Sequence, residues 1–279
     1  DMAPATVQRY ETSLKHTRDF VWETYHKKDV LLDEVSRQFI EDYEFWLKTE
    51  KKCCHNTATK YLKNFKKIIR IALAKGWMKN DPFLEIRFSL DKVEPDFLED
   101  SEIQKLISKE IDIPRLSQVR DIFVFCCFTG LAFSDIHGLR KEHIVEDSNG
   151  VRWIRKGRQK TKIMCNIPLM EIPLKILEKY STNEYCKKHG VLFPVLCNQK
   201  MNAYLKELAD ICGIKKTLTT HVGRHTFATF ALANGVSIES VAKMLGHTNV
   251  QMTRHYARVL DRTVIREMSQ IKMDFHISI

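Results

Sequence analysis

The apolar positions of residues 1–90 recur at helical spacing, and this stretch reads as helices only. Tyr10, Leu14, Thr17 and Val21 lie near one face of a helix predicted over Val7 to Lys27. Ser36 opens a second that runs to about Glu50, and Asn56 or Thr57 opens a third that ends near Gly76. A short fourth is predicted after Asp81-Pro82. In the third helix, Leu62, Phe65, Ile69 and Ala72 form the stripe that should face a core. From Arg87 to Glu99 no period is clear and Pro95 interrupts, so Ser89 to Asp96 reads as a linker, with its boundary drawn at 91–96.

Beyond it, Leu98 to Glu102 reads as a helix start with Asp100 or Ser101 as cap. Val119 to Thr129 is an apolar helix stopped by Gly130. Val151 to Ile154 and Ile163 to Ile167 read as strands joined through Lys156-Gly157. Pro173 to Tyr180, Asn198 to Cys212, His221 to Asn234, Ser237 to Leu245 and Asn249 to Val259 read as helices, with Gly235 and Gly246 at helix stops. The predicted fold class is mainly α: a helical domain over 1–90, then a mixed, mostly helical domain over 97–279 with a small antiparallel β-sheet.

Composition narrows the function classes. The chain has 279 residues, 44% hydrophobic and 29% charged, a globular balance with ample material for a core. No apolar run approaches the roughly 20 residues of a membrane span, and the N-terminus shows no secretory pattern. A cytoplasmic location is expected. Asp1-Met2-Ala3-Pro4 does not read as a natural start, so a chain lacking upstream sequence is expected. Eight cysteines stand without a C-x-x-C or regular spacing, which favours reduced thiols over a zinc site or a disulfide framework.

The formal net charge is +10, and its distribution says more than its size. Residues up to 96 carry 18 basic and 16 acidic side chains, the remainder 27 and 19. Within the first part the positive charge is concentrated: ten Lys or Arg lie between Lys48 and Lys79, against the single acid Glu50. Lys60, Lys63, Lys67 and Arg70 follow one helical face. A solvated face usually mixes signs, so a nearly acid-free stripe favours contact with phosphates.

The chemistry-bearing residues lie further on. On a helix, His221, Arg224 and His225 share a face at i, i+3 and i+4. Two histidines at that spacing suit zinc, but a third ligand is missing and the intervening arginine would repel a cation. Guanidinium beside imidazole suits an anion, because it grips phosphate oxygens in a two-pronged contact. Leu245-Gly246-His247 follows, and Tyr256 stands nine residues after His247.

The window from Thr219-Thr220-His221 through Gly246-His247 to His255-Tyr256-Ala257 resembles the tyrosine recombinase (phage integrase) family, whose signature is H-x-x-R, then L-G-H, then a tyrosine. The resemblance extends over the whole chain and is closest to integrases of bacterial conjugative transposons and related mobile elements. It implies a helical core-binding domain over 1–90 and a catalytic domain over 97–279, forming a C-shaped clamp around duplex DNA. The implied activity is site-specific recombination, in which DNA strands are cut and rejoined through a 3′-phosphotyrosyl link for integration, excision or inversion of a mobile element. The link conserves the energy of the broken bond, so no ATP and no other cofactor is expected.

The resemblance assigns Tyr256 as nucleophile and Arg224 as phosphate clamp. It assigns His221 to help remove the phenol proton and His247 to hydrogen-bond a nonbridging oxygen. Lys160, in Arg158-Gln159-Lys160-Thr161, stands where the family has a mobile hairpin lysine, the general acid for the leaving 5′-oxygen; a plain phosphate contact is the alternative. His225 is expected to orient its neighbours. The implied assembly is a tetramer on two sites, with a monomer when free, accessory DNA-bending proteins as possible partners, a nucleoid-associated location and no membrane. An N-terminal domain for arm-type sites would lie upstream. The apolar positions Val264, Ile265, Met268, Ile271, Met273 and Phe275 of the C-terminal stretch suit docking on a neighbouring protomer or packing on their own domain.

One position departs from the pattern. The family has an arginine in T-G-x-R, whereas here Thr129-Gly130-Leu131 is followed by Ala132. Either the protein is an inactive DNA-binding relative, or another cation takes that place. Arg158 is the candidate: on an extended segment it would share a face with Lys160, two residues on. Arg120, Arg140 and Arg155 are less favoured. With Lys160, His221, Arg224, His247 and Tyr256 all present, an active enzyme is expected; strand relaxation of the type IB topoisomerase kind is the other active alternative.

Overall fold

The computed structural model describes residues 2–256 together with 268 and 269. The chain divides into two compact units, Asp1–Glu94 and Pro95–Ile279.

The first unit is built on α1 (Pro4–Tyr25), α2 (Arg37–Thr49) and α3 (His55–Ala74). Pro4 starts α1, where its missing N–H costs nothing. The Ser36 hydroxyl accepts from Phe39 N–H to cap α2. The three helices bury Phe20, Phe39, Tyr43, Trp46, Leu62 and Ile69 in one aromatic-rich core, with Phe20 packed edge-on against Phe39. On α3 the core stripe faces inward as its period requires, and Lys60, Lys63, Lys67 and Arg70 are all exposed. The short helix expected after Asp81-Pro82 does not form. That segment is a pair of turns, with Leu84 N–H bonded to the Asp81 carbonyl and Ile86 N–H to that of Phe83. Phe83 is fully buried there, so tertiary burial fixes the segment without a helical repeat.

The second unit contains α4 (Asp100–Ser108), α5 (Pro114–Thr129), α6 (Phe133–His137), β1 (Ile144–Glu146), β2 (Arg152–Gly157), β3 (Met164–Pro168), α7 (Glu171–Tyr180), α8 (Glu184–His189), α9 (Asn198–Ile211), α10 (Thr220–Ala233), α11 (Ile238–Leu245) and α12 (Gln251–Arg254). Mainly helical with one small antiparallel sheet, it has the expected fold class. The N-cap of α4 is Glu99 rather than Asp100 or Ser101, because Glu102 reaches back to Glu99 N–H and closes a capping box. At its centre is α5, buried on nearly every side and packed against α10.

The sheet has the order β1-β2-β3, one strand more than expected. The expected junction at Lys156-Gly157 is displaced: Lys156 pairs with Cys165 and Gly157 with Met164, so both belong to β2. The reversal runs from Arg158 to Ile163, closed by Arg158 N–H to the Ile163 carbonyl and Lys162 N–H to the Arg158 carbonyl. Arg158 and Lys160 therefore do not lie on one extended segment. Lys156 Nζ is instead anchored on the Gly138 carbonyl at 2.8 Å, tying β2 to the end of α6. Of the C-terminal apolar positions, Met268 is exposed; Val264, Ile265, Ile271, Met273 and Phe275 lie outside the described residues.

Candidate active site

Four elements of the second unit meet at one pocket: the end of α5, the β2–β3 turn, α10, and the segment from the end of α11 through α12. Arg224 is its centre. It projects from α10, which is capped by the Thr219 hydroxyl, and is 3% exposed. Its Nη1 donates to the Gly130 carbonyl at 2.7 Å, and its Nη2 donates to the Leu245 carbonyl at 2.6 Å. Two helix C-termini thus aim their last carbonyls at one guanidinium, the polarity that a helix end offers a cation.

Both carbonyls depend on glycine. Gly130 ends α5 at φ 67°, and a Cβ there would lie 2.4 Å from Phe227 Cδ1. Gly246 ends α11 at φ 59°, and a Cβ there would lie 2.7 Å from both Arg158 Cδ and Cys165 Sγ. The left-handed turn and the close approach together leave room for no larger residue.

Arg158 occupies that space. Its side chain is 12% exposed and lies over Gly246, with Nη1 3.4 Å from the Gly246 carbonyl and Nε 3.6 Å from Asp135 Oδ2. Asp135 is almost wholly buried, and its Oδ1 accepts from Gln159 N–H at 2.9 Å. One carboxylate therefore holds both the backbone of the turn and the arginine leaving it. Ala132 stands one turn earlier, as the N-cap of α6.

Both arginines act on the histidines. Burial, then Arg224, then Arg158, lower the His221 pKa; the same causes push that of His247 down to about 4. Both rings are neutral at pH 7. His247 Nε2 is 3.1 Å from Arg224 Nη2, and its Nδ1 is 2.8 Å from Thr253 Oγ1. Tyr256 is 8% exposed, its ring stacked on His247 at 6.0 Å and tilted against His225 at 4.8 Å. His221 lies edge-on to His225 at 4.2 Å.

Tyr256, Arg224, His221, His247 and Arg158 thus come together. Lys160 does not join them by contact: it is exposed in the turn that Arg158 begins. Arg120 is committed elsewhere, bonded to Asp121 and the Lys109 carbonyl, and Arg140 and Arg155 are exposed. Sequence reasoning missed Asp135 and Thr253, whereas His225, singled out as a residue that orients its neighbours, packs against both His221 and Tyr256. Both missed residues had a signal: Asp135 is three residues after Ala132, and Thr253 is three before Tyr256, on the same helical face. Among the described residues, no group of three or more His, Cys, Asp or Glu could hold a metal ion.

The chain as a whole is similar to proteins of known type. The Phage integrase family profile matches residues 96–263, and that of the Phage integrase SAM-like domain matches residues 1–90. A tyrosine recombinase of Pseudothermotoga lettingae is 29% identical over 265 residues, covering 92% of this chain and 88% of that protein. The lambda integrase (75–356) dimer bound to a COC′ core site superposes with a TM-score of 0.74 at 17% identity, covering 99% of this chain and 94% of the other. The Tn1549 transposon integrase in complex with a circular intermediate DNA gives 0.72 at 18%, covering 97% and 95%. The chain belongs to the phage integrase family and is a tyrosine-type, site-specific DNA recombinase.

Proposed function

We propose that the recombinase cuts duplex DNA with Tyr256 and that Arg158 replaces the clamp arginine absent at Ala132. The phenol oxygen attacks phosphorus, forming a 3′-phosphotyrosyl bond as the bond to the 5′-oxygen breaks. His221 receives the phenol proton, Lys160 supplies one to the departing 5′-oxygen, and His247 donates to a nonbridging oxygen. Rejoining reverses these transfers. Charge gathers on the nonbridging oxygens in the transition state, so prepositioned donors are the main source of acceleration.

The observation that carries this reading is the gathering of two guanidiniums, the buried Arg224 and the mostly covered Arg158, near a single buried carboxylate, Asp135. Like charges gathered out of water are costly unless an anion joins them, and a phosphodiester supplies it. Neutral His221 is in the state required of a proton acceptor. Lys160, on an exposed turn, reaches the leaving group by movement of that turn.

The exposed face of α3, with Lys60, Lys63, Lys67 and Arg70, is the phosphate-binding surface of a core-type DNA-binding domain over 1–90, joined by 91–96 to the catalytic domain over 97–279. The reaction is integration, excision or inversion of a mobile element by four protomers on two sites, assembled from monomers, with DNA-bending proteins as accessories and the nucleoid as its place of action. The test is covalent capture. A pool of nicked duplexes with randomised centres is incubated with the chain, and the DNA held through denaturing electrophoresis is sequenced. The wild-type chain should yield an adduct and Tyr256→Phe none. No adduct from either marks an inactive DNA binder; an adduct with supercoil relaxation but no strand exchange marks a topoisomerase.

A further inference from the structure

If His247 is to donate to a phosphate oxygen, its Nε2 must carry a proton. The contacts of the ring in this structure favour the opposite arrangement. Nε2 faces Arg224 Nη2 at 3.1 Å, and a guanidinium nitrogen only donates. Nε2 is the acceptor, so the neutral ring holds its proton on Nδ1. That nitrogen is 2.8 Å from Thr253 Oγ1, which accepts. Binding a phosphate therefore requires more than a turn of Arg224: it requires the other tautomer of His247.

Thr253 is placed to serve both. It is fully buried, and its carbonyl accepts the Tyr256 N–H at 2.9 Å, so one residue bonds to the imidazole through its side chain and to the nucleophile's backbone through its carbonyl. A hydroxyl accepts or donates by rotating about one bond. We infer that Thr253 is a positioning residue for strand cleavage: its hydroxyl accepts from His247 Nδ1–H without DNA and donates to Nδ1 once a phosphate has drawn Arg224 away. The ring stays neutral throughout, losing a proton to water at Nδ1 and gaining one at Nε2. Because the same residue anchors the turn before Tyr256, the imidazole that meets the phosphate and the phenol that attacks it share one reference point. This rests on the assignment of His247 to a nonbridging oxygen.

The test uses the full chain and the nicked duplex recovered by covalent capture. Thr253→Val keeps the shape and removes the hydroxyl; Thr253→Ser keeps the hydroxyl. DNA affinity should stay within about 3-fold in both, while the adduct rate falls at least about 10-fold in Thr253→Val, the scale of one lost hydrogen bond to a working group. Thr253→Ser should return to within about 3-fold of wild type, a rescue that a purely packing role does not give. Nitrogen-15 imidazole signals, assigned by their loss in His247→Gln, should report Nδ1–H in the DNA-free protein and Nε2–H in the noncovalent complex of Tyr256→Phe. A wild-type rate in Thr253→Val, a Thr253→Ser as slow as Thr253→Val, or an Nε2–H ring without DNA overturns the inference. Should Thr253→Val fail to fold, the imidazole signals decide alone. Absence of any adduct from the wild-type chain sinks the reading of Tyr256 instead, and the DNA-free tautomer still reads out separately.

Discussion

Arg158 and Arg224 bring like charges into one buried pocket, and each lowers the proton affinity of His221 and His247. The two arginines have separate supports: Arg224 has carbonyls of Gly130 and Leu245, Arg158 has Asp135. Removing one leaves the other in place. Arg158→Ala should therefore bind DNA within a few-fold of wild type yet lose the covalent adduct by at least about 100-fold, as for loss of one transition-state donor. Adduct at wild-type level would remove Arg158 from the mechanism. The depressed histidine also makes a stability prediction. His247 titrates near 4 in the folded chain and near 6.5 when unfolded, so below pH 6.5 the unfolded state binds more protons. Its contribution to stability is fully present above about pH 6.5 and is lost as pH falls toward 4. His247→Gln should shrink the drop in urea midpoint between pH 7 and pH 5, and an unchanged drop counts against the shift.

At the scale of elements, the pocket is made where helices stop. The end of α5 supplies the Gly130 carbonyl, the end of α11 supplies those of Leu245 and Gly246, and the β2–β3 turn lays Arg158 across Gly246. Gly246→Ala combines a left-handed backbone with overlap against Arg158 and Cys165. It should destabilise the fold by about 1–3 kcal/mol and reduce adduct beyond what stability explains, read by thermal melting beside the capture assay. The helix stops themselves were legible, since glycine after an apolar run is a local signal. The third strand was not: Ile144-Val145-Glu146 is too short to show a period, and it exists because Ile144 pairs with Ile154. The extended path assumed from Arg158 to Lys160 also failed, because the turn closes one residue after Gly157.

At the scale of the molecule, each unit has its own apolar core, one around Phe20 and Tyr43, the other around Phe123 and Phe125. Residues 89–94 are without regular structure and largely exposed. Brief proteolysis should cut there first and leave two folded fragments; simultaneous degradation of both would refute the division. Charge is uneven too, and the exposed stripe on α3 offers a separate test. Lys63→Glu with Lys67→Glu should weaken binding to any duplex and lower the slope of log affinity against log salt by about 2, the signature of two lost phosphate contacts. An unchanged slope would take α3 off the DNA.

The sequence by itself determined the helical periods, the glycine stops after α5 and α11, the basic stripe on α3 and the spacing of His221, Arg224, His247 and Tyr256, because each is set by a local repeat or by a motif of fixed register. It also exposed the missing arginine at Ala132. Only the tertiary structure decided what stands near that gap. Asp135, Gly246 and Arg158 are far apart in the chain or lie in unpatterned turns, and their meeting depends on α6, α11 and the β2–β3 turn packing together. Packing between helices likewise placed Arg224 of α10 against one ring nitrogen of His247 and Thr253 of α12 against the other.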